Sequence, residues 1–164
     1  MENKEVKETF DILLTVCRID DNKLDIAYKQ MRDLLERLCR SQMQNESLQM
    51  TDLSARISFV AARTGLSAVE QNRLHTFRLT SNGVLNRITE PEREKLLRDA
   101  KTLAFFLKKL SGTDIPDELY RLLPKTDTTY IIAPTTRRKI ERMRVCFQHS
   151  DEHFLYVTPL DSIA

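Results

Sequence analysis

The stretch LDIAYKQMRDLLERLC, residues 24–39, decides the fold class of this chain. Its apolar residues recur every three or four positions, which is the period of an α-helix with one buried face. The members of this apolar stripe are Leu24, Ala27, Tyr28, Met31, Leu34, Leu35, Leu38 and Cys39. The stripe is almost unbroken, so the sequence predicts a long amphipathic helix that packs against other helices.

Further segments show the same helical period, and residues that start or stop helices separate them. These segments lie at about residues 3–17, 53–65, 67–85 and 92–110, and a short sixth helix is predicted at 117–123. Gly65 and Gly112 each follow a segment, at a position where glycine adopts positive φ without a steric penalty. Ser67 and Glu70 have the spacing of a capping box, which opens a helix.

The composition favours helices and excludes several classes of protein. The 164 residues include 3 Gly, too few for the tight turns of a β-sandwich or barrel. The net charge of +2 gives no overall attraction to nucleic acid. The first residues are polar, and no apolar run approaches the ~18–20 residues of a membrane span, so we expect no signal peptide and no membrane partner.

The three cysteines, Cys17, Cys39 and Cys146, are far apart and lack the spacing of metal ligands. Cys17 and Cys39 lie on apolar stripes, so we expect reduced core thiols and a cytoplasmic location. His149 and His153 are four residues apart with acids between them, but their flanks look like strand and turn. We expect a solvated turn there, and we predict neither a metal nor a cofactor for this chain.

After Pro124 the helical period ends. Short apolar runs near residues 130, 146 and 155 look β-like. We therefore expect residues 1–124 to form a helical bundle, and residues 125–164 to be a linker and the start of a following unit. The predicted fold is all-α, a bundle of five to six helices with a short, partly β-like C-terminal extension. We also expect the chain to end inside a larger protein.

A row of polar residues lies along the fourth predicted helix. Arg78, Asn82 and Asn86 are four residues apart, so they follow one face of the helix. A polar row beside an apolar stripe needs partners, solvent or a groove. The favoured interpretation is that these groups tie neighbouring helices together. Ligand or RNA binding and a dimer interface are the alternatives.

Residues 74–86 resemble the HEPN superfamily, helical domains named for nucleotide binding in prokaryotes and higher eukaryotes. The likeness is to the branch with a motif of Arg, then Asn and then His at steps of four residues. Residues 33–38, 53–65 and 92–110 resemble other helices of that family, so the resemblance covers roughly residues 20–112. It implies that Glu36, on the second helix, is an internal structural partner of Arg78.

The departure from the family pattern bears on function. The resemblance implies metal-independent RNases in which Arg and His act at the scissile phosphate, but this chain has Asn86 at the His position. A neutral amide exchanges no proton near neutral pH, and His75 lies three turns before Asn86. The resemblance therefore implies a non-catalytic accessory or docking domain, of the kind found N-terminal to bacterial helicase and restriction-motor proteins.

The motor itself is not encoded here. The chain has no Gly-x-x-x-x-Gly-Lys-Ser/Thr loop, so we expect no ATP hydrolysis by it, and assign a helicase-type ATPase to the rest of the polypeptide. Expected partners are that polypeptide, a second copy and nucleic acid. Two alternatives stay open, a metal-independent ribonuclease or nucleotide-binding enzyme using Arg78 and His75, and a pure oligomerisation module.

Arg137, Arg138 and Lys139 form the main basic cluster of the chain. Each cation is able to contact a nucleic-acid phosphate, and each such contact adds salt-dependent affinity. A solvated helix face is the other interpretation, and it is favoured because no aromatic residue interleaves the cluster to stack on bases.

Overall fold

The computed structural model of the chain describes residues 3–43 and 52–125. These residues form α1 (Asn3–Cys17), a single turn of 3₁₀ helix (Asp21–Lys23), α2 (Leu24–Ser41), α3 (Leu53–Thr64), α4 (Ala68–Leu85), α5 (Arg93–Ser111) and α6 (Asp117–Leu122). The described residues contain no strand, and the predicted all-α bundle is confirmed. The β-like extension and the cluster of Arg137, Arg138 and Lys139 lie outside the described residues, as do Cys146, His149 and His153.

Helix α2 is the centre of the bundle. It packs against α1, α3, α4 and α5, while α6 packs against α1. All eight residues of its predicted apolar stripe are buried, and Tyr28, Met31, Leu35 and Cys39 are fully inaccessible to solvent. Since a fully buried side chain of Leu or Met stabilises a fold by about 1.5–3 kcal/mol, α2 supplies much of the apolar core.

The residues that were predicted to stop or start helices lie at helix ends. Gly65 and Gly112 adopt left-handed conformations, with φ of 64° and 70°. Glu70 Oε2 accepts the Ser67 amide at 2.7 Å, and the Glu70 amide donates to Ser67 Oγ at 3.2 Å. The predicted glycine stops and the capping box are therefore confirmed. They position the first turn of α4, the helix that carries the predicted polar row.

Arg93, at the first position of α5, ties α5 to the end of α1. Its Nε donates to Asp21 Oδ1 at 2.7 Å, and its Nη1 donates to the Cys17 carbonyl at 3.2 Å. Its Nη2 donates to the Ile19 carbonyl. The last carbonyls of an α-helix have no partner within the helix, so Arg93 satisfies the Cys17 carbonyl that α1 leaves open.

No helix in residues 3–43 and 52–125 has a stretch long and apolar enough to cross a lipid bilayer.

Candidate functional site on helix α4

Helix α4 contacts the bundle through polar as well as apolar side chains. Its buried residues are Leu74, Phe77, Thr80, Ser81 and Val84. Two of these five are hydroxyl residues, whereas all eight buried residues of α2 belong to its predicted apolar stripe. Because a buried hydroxyl needs a hydrogen-bond partner, these two must bond to carbonyls of α4 itself or be matched by polar groups on neighbouring helices.

Arg32 of α2 supplies that match. Its Nη1 donates to Asn82 Oδ1, and it lies 3.5 Å from Ser81 Oγ, at the outer limit of hydrogen bonding. Ser81 Oγ in turn donates to the Arg78 carbonyl at 2.9 Å. Asn82 therefore joins α4 to α2, as the structural interpretation of the polar row expects. The sequence analysis did not identify Arg32, although it lies four residues before Glu36.

Glu36 is a polar partner, but its ion pairs are with residues of its own helix. Its Oε1 lies 3.4 Å from Arg32 Nε, and its Oε2 lies 3.6 Å from Arg40 Nη2. The expected pair between Glu36 and Arg78 is not formed in this structure. The reason is local, because cations one turn before and one turn after an acid on the same helix lie within reach of it.

Arg78 occupies the centre of this polar face. Its side chain is partly buried, and its Nε is buried without a hydrogen-bond partner. Within residues 3–43 and 52–125, no ion pair neutralises its guanidinium group. A buried donor without an acceptor costs about 1–3 kcal/mol, and more for a charged group. Arg78 is thus held in place by α4 while its charge remains uncompensated.

His75 lies one turn before Arg78, on the side of α4 that faces α3. Its Nδ1 is 3.5 Å from Ser54 Oγ, and its Nε2 is 3.4 Å from Ser58 Oγ. Burial lowers the pKa of His75, and the nearby Arg78 charge lowers it further. The imidazole is therefore neutral at pH 7. Ser54 and Ser58 were not predicted from the sequence as neighbours of His75, although their four-residue spacing places them on one face of α3.

Asn86 lies apart from this face, at the end of α4. The amide of Ile88 donates to the Gly83 carbonyl at 2.8 Å, and the amide of Arg87 donates to the Val84 carbonyl at 3.0 Å. Arg87 has a φ of 58°, so the helix ends in a Schellman motif with arginine at the left-handed position. The Asn86 side chain is exposed, and the polar row thus divides into an inner part and an exposed end.

The described thiols are unsuited to nucleophilic chemistry. Burial raises the pKa of Cys17 to about 11 and that of Cys39 to about 12. Both side chains are buried, and the reactive form of cysteine is the thiolate. In the part of the chain that the structure describes, no three residues among His, Cys, Asp and Glu come together as metal ligands.

Comparison with known proteins gave no family assignment. No protein-family model matches the chain, and neither a curated protein nor a solved structure is detectably similar to it. The candidate site is therefore defined by its geometry, a partly buried arginine between a neutral imidazole and a network formed by Arg32, Asn82 and Glu36.

Proposed function

We propose that this chain is a non-catalytic docking domain of a larger, cytoplasmic nucleic-acid-processing protein of helicase type. Its α4 face binds a phosphate group of nucleic acid through Arg78. The observation that supports this proposal is the uncompensated guanidinium of Arg78, with Nε buried and without an acceptor. The resemblance of residues 74–86 to the HEPN superfamily supports the same assignment.

The surroundings of Arg78 favour an external acceptor. The carboxylate of the polar network, Glu36, is already shared between Arg32 and Arg40. Arg32 in turn holds the Asn82 amide, so the walls of the site are fixed by hydrogen bonds. A guanidinium fork matches the oxygens of a phosphate, and the Arg78 side chain is only partly buried, so it is able to present part of that fork to a ligand.

The same neighbours support a binding role rather than cleavage. Asn86 is exposed and carries an amide that neither accepts nor releases a proton near neutral pH. The His75 ring is near Ser54 and Ser58, and both nitrogens face these hydroxyls. An imidazole used in this way stabilises the contact between α3 and α4.

The test is binding of fluorescent single-stranded RNA and DNA oligonucleotides to the whole chain, measured by anisotropy over a range of salt concentrations. We expect Arg78→Ala to weaken binding about tenfold and to lower the slope of log affinity against log salt by about one phosphate contact. Arg121→Ala, which removes an exposed arginine from α6, is the matched control and should change neither quantity. Equal effects of the two substitutions would reject the proposal.

The alternatives are separate outcomes of the same assay. A ribonuclease is favoured by one observation, the position of His75 one turn before Arg78 on α4, where the Arg78 charge lowers the pKa of the imidazole. Cleavage of the RNA in the presence of a metal chelator, lost in His75→Ala, would establish that activity in place of docking. Absence of binding at low salt, together with concentration-dependent dimers in sedimentation, would establish a pure oligomerisation module.

A further inference from the structure

A carboxyl group lies in the apolar core between α2 and α5. Asp99 of α5 is only 7% exposed, and its Oδ2 accepts a hydrogen bond from Tyr28 Oη at 3.2 Å. Tyr28 is fully buried in α2, and its ring stacks on Phe77 of α4 at a centroid distance of 6.5 Å. Within the described residues no cation forms an ion pair with Asp99.

The charged groups that act on this pair belong to α5 or to Glu92, the residue that precedes it. Lys95 and Arg98 act on Asp99, while Glu92 and Arg98 act on Tyr28. Arg98 also pairs with Glu94 at 3.4 Å, on the exposed side of α5. In the described parts of α1, α2 and α4, which pack against α5, Tyr28 is the only titratable group that acts on Asp99.

One neutral hydroxyl does not replace the hydration that an ionised carboxylate loses on burial. Burial therefore raises the pKa of Asp99 to about 7, while the hydrogen bond from Tyr28 and the charges of Lys95 and Arg98 act in the opposite direction. Burial and the nearby Asp99 also raise the pKa of Tyr28, so its hydroxyl stays protonated and continues to donate.

We infer that Tyr28 and Asp99 form a proton-dependent joint between α2 and α5, tightly packed when the carboxyl is protonated and loosened when it ionises. The ionised group recruits water or more donors, and either requires α5 to move relative to α2. Because the folded state binds the proton more tightly than the unfolded chain, this stabilisation is complete below the ordinary pKa of 3.8 and is lost as the pH rises towards about 7.

The direct test is the pH titration of the Asp99 carboxyl carbon by NMR in the whole chain. We expect a midpoint near 7 for Asp99, well above the ordinary value of 3.8. Tyr28→Phe should move the Asp99 midpoint upwards, because it removes the hydroxyl that stabilises the charge. A midpoint below 5, or one unchanged by Tyr28→Phe, would overturn the inference.

The loosening is measured by amide hydrogen exchange in α2 and α5 between pH 5 and 8, after correction for intrinsic exchange rates. We expect about a tenfold rise in opening for the natural chain and none for Asp99→Asn, which keeps an acceptor for Tyr28. The melting temperature should fall by about 5 °C more in the natural chain than in Asp99→Asn over this range. Equal pH profiles for the natural chain and Asp99→Asn would overturn the inference. If Asp99→Asn does not fold, the Asp99 titration in Tyr28→Phe tests the inference instead.

Discussion

Arg93 and Arg78 are both partly buried arginines that lie where helices of the bundle meet, but they are satisfied to different extents. Arg93 donates to the Asp21 carboxylate and to the carbonyls of Cys17 and Ile19. Arg78 has a buried Nε with no acceptor. Residue type and burial therefore do not separate these two arginines, whereas completion of the hydrogen bonds does.

The positions of the two residues along their helices explain the difference. Arg93 faces the end of α1, where the last carbonyls have no acceptor role within the helix and remain open to an outside donor. Arg78 lies in the middle of α4, where backbone carbonyls already accept intrahelical amides. Its donors therefore depend on side chains or on a ligand, and Glu36, the acid of the polar network, is shared by Arg32 and Arg40.

The largest expected effect is on stability at the Arg93 junction. Arg93→Ala removes three hydrogen bonds of a charged donor and leaves the carbonyls of Cys17 and Ile19 without it, so we expect a loss of about 2–3 kcal/mol in the free energy of unfolding. Arg78→Ala is the matched variant and should cost at most about 0.5 kcal/mol. Urea denaturation measures both, and a larger loss for Arg78→Ala would reverse the comparison.

The sequence predicted the helices well because an apolar stripe reports directly which face is buried. The stripe of α2 follows from the spacing of its apolar residues, and the stops at Gly65 and Gly112 follow from the positive φ that glycine adopts. The spacing and the glycines can both be read directly from the sequence. The same reasoning placed Arg78 and Asn82 on one face of α4.

The partners of that polar face were less predictable, since they depend on which helices meet. The resemblance implied that Glu36 would pair with Arg78, but Glu36 lies one turn from both Arg32 and Arg40, and these nearer cations bind it. The contact between Arg32 and Asn82 joins residues that are 50 positions apart. No periodicity specifies such a contact, because it is fixed by how α2 packs against α4.

A loss of stability of intermediate size is expected at Arg32, which joins α2 to α4. Its side chain is 21% exposed, and Arg32→Ala removes the donor to Asn82 and one ion pair of Glu36. We expect a loss of about 1 kcal/mol, smaller than at Arg93 because Arg32→Ala leaves Glu36 paired with Arg40. Arg37→Ala removes an exposed arginine from the same helix and should leave the unfolding midpoint unchanged. A loss at Arg37 equal to that at Arg32 would count against the network.

The smallest effect should belong to a short but exposed contact, the ion pair between Arg18 and Glu118. Their atoms lie 2.5 Å apart, but the side chains are 53% and 62% exposed. Water and salt screen such a pair, so its coupling energy in a double-mutant cycle with Arg18→Ala and Glu118→Ala should be about 0.5 kcal/mol or less. It should decline further in high salt, whereas the loss in Arg93→Ala should persist because the carbonyls of Cys17 and Ile19 carry no net charge. A salt-independent coupling above about 1 kcal/mol would show that short distance outweighs exposure in this bundle.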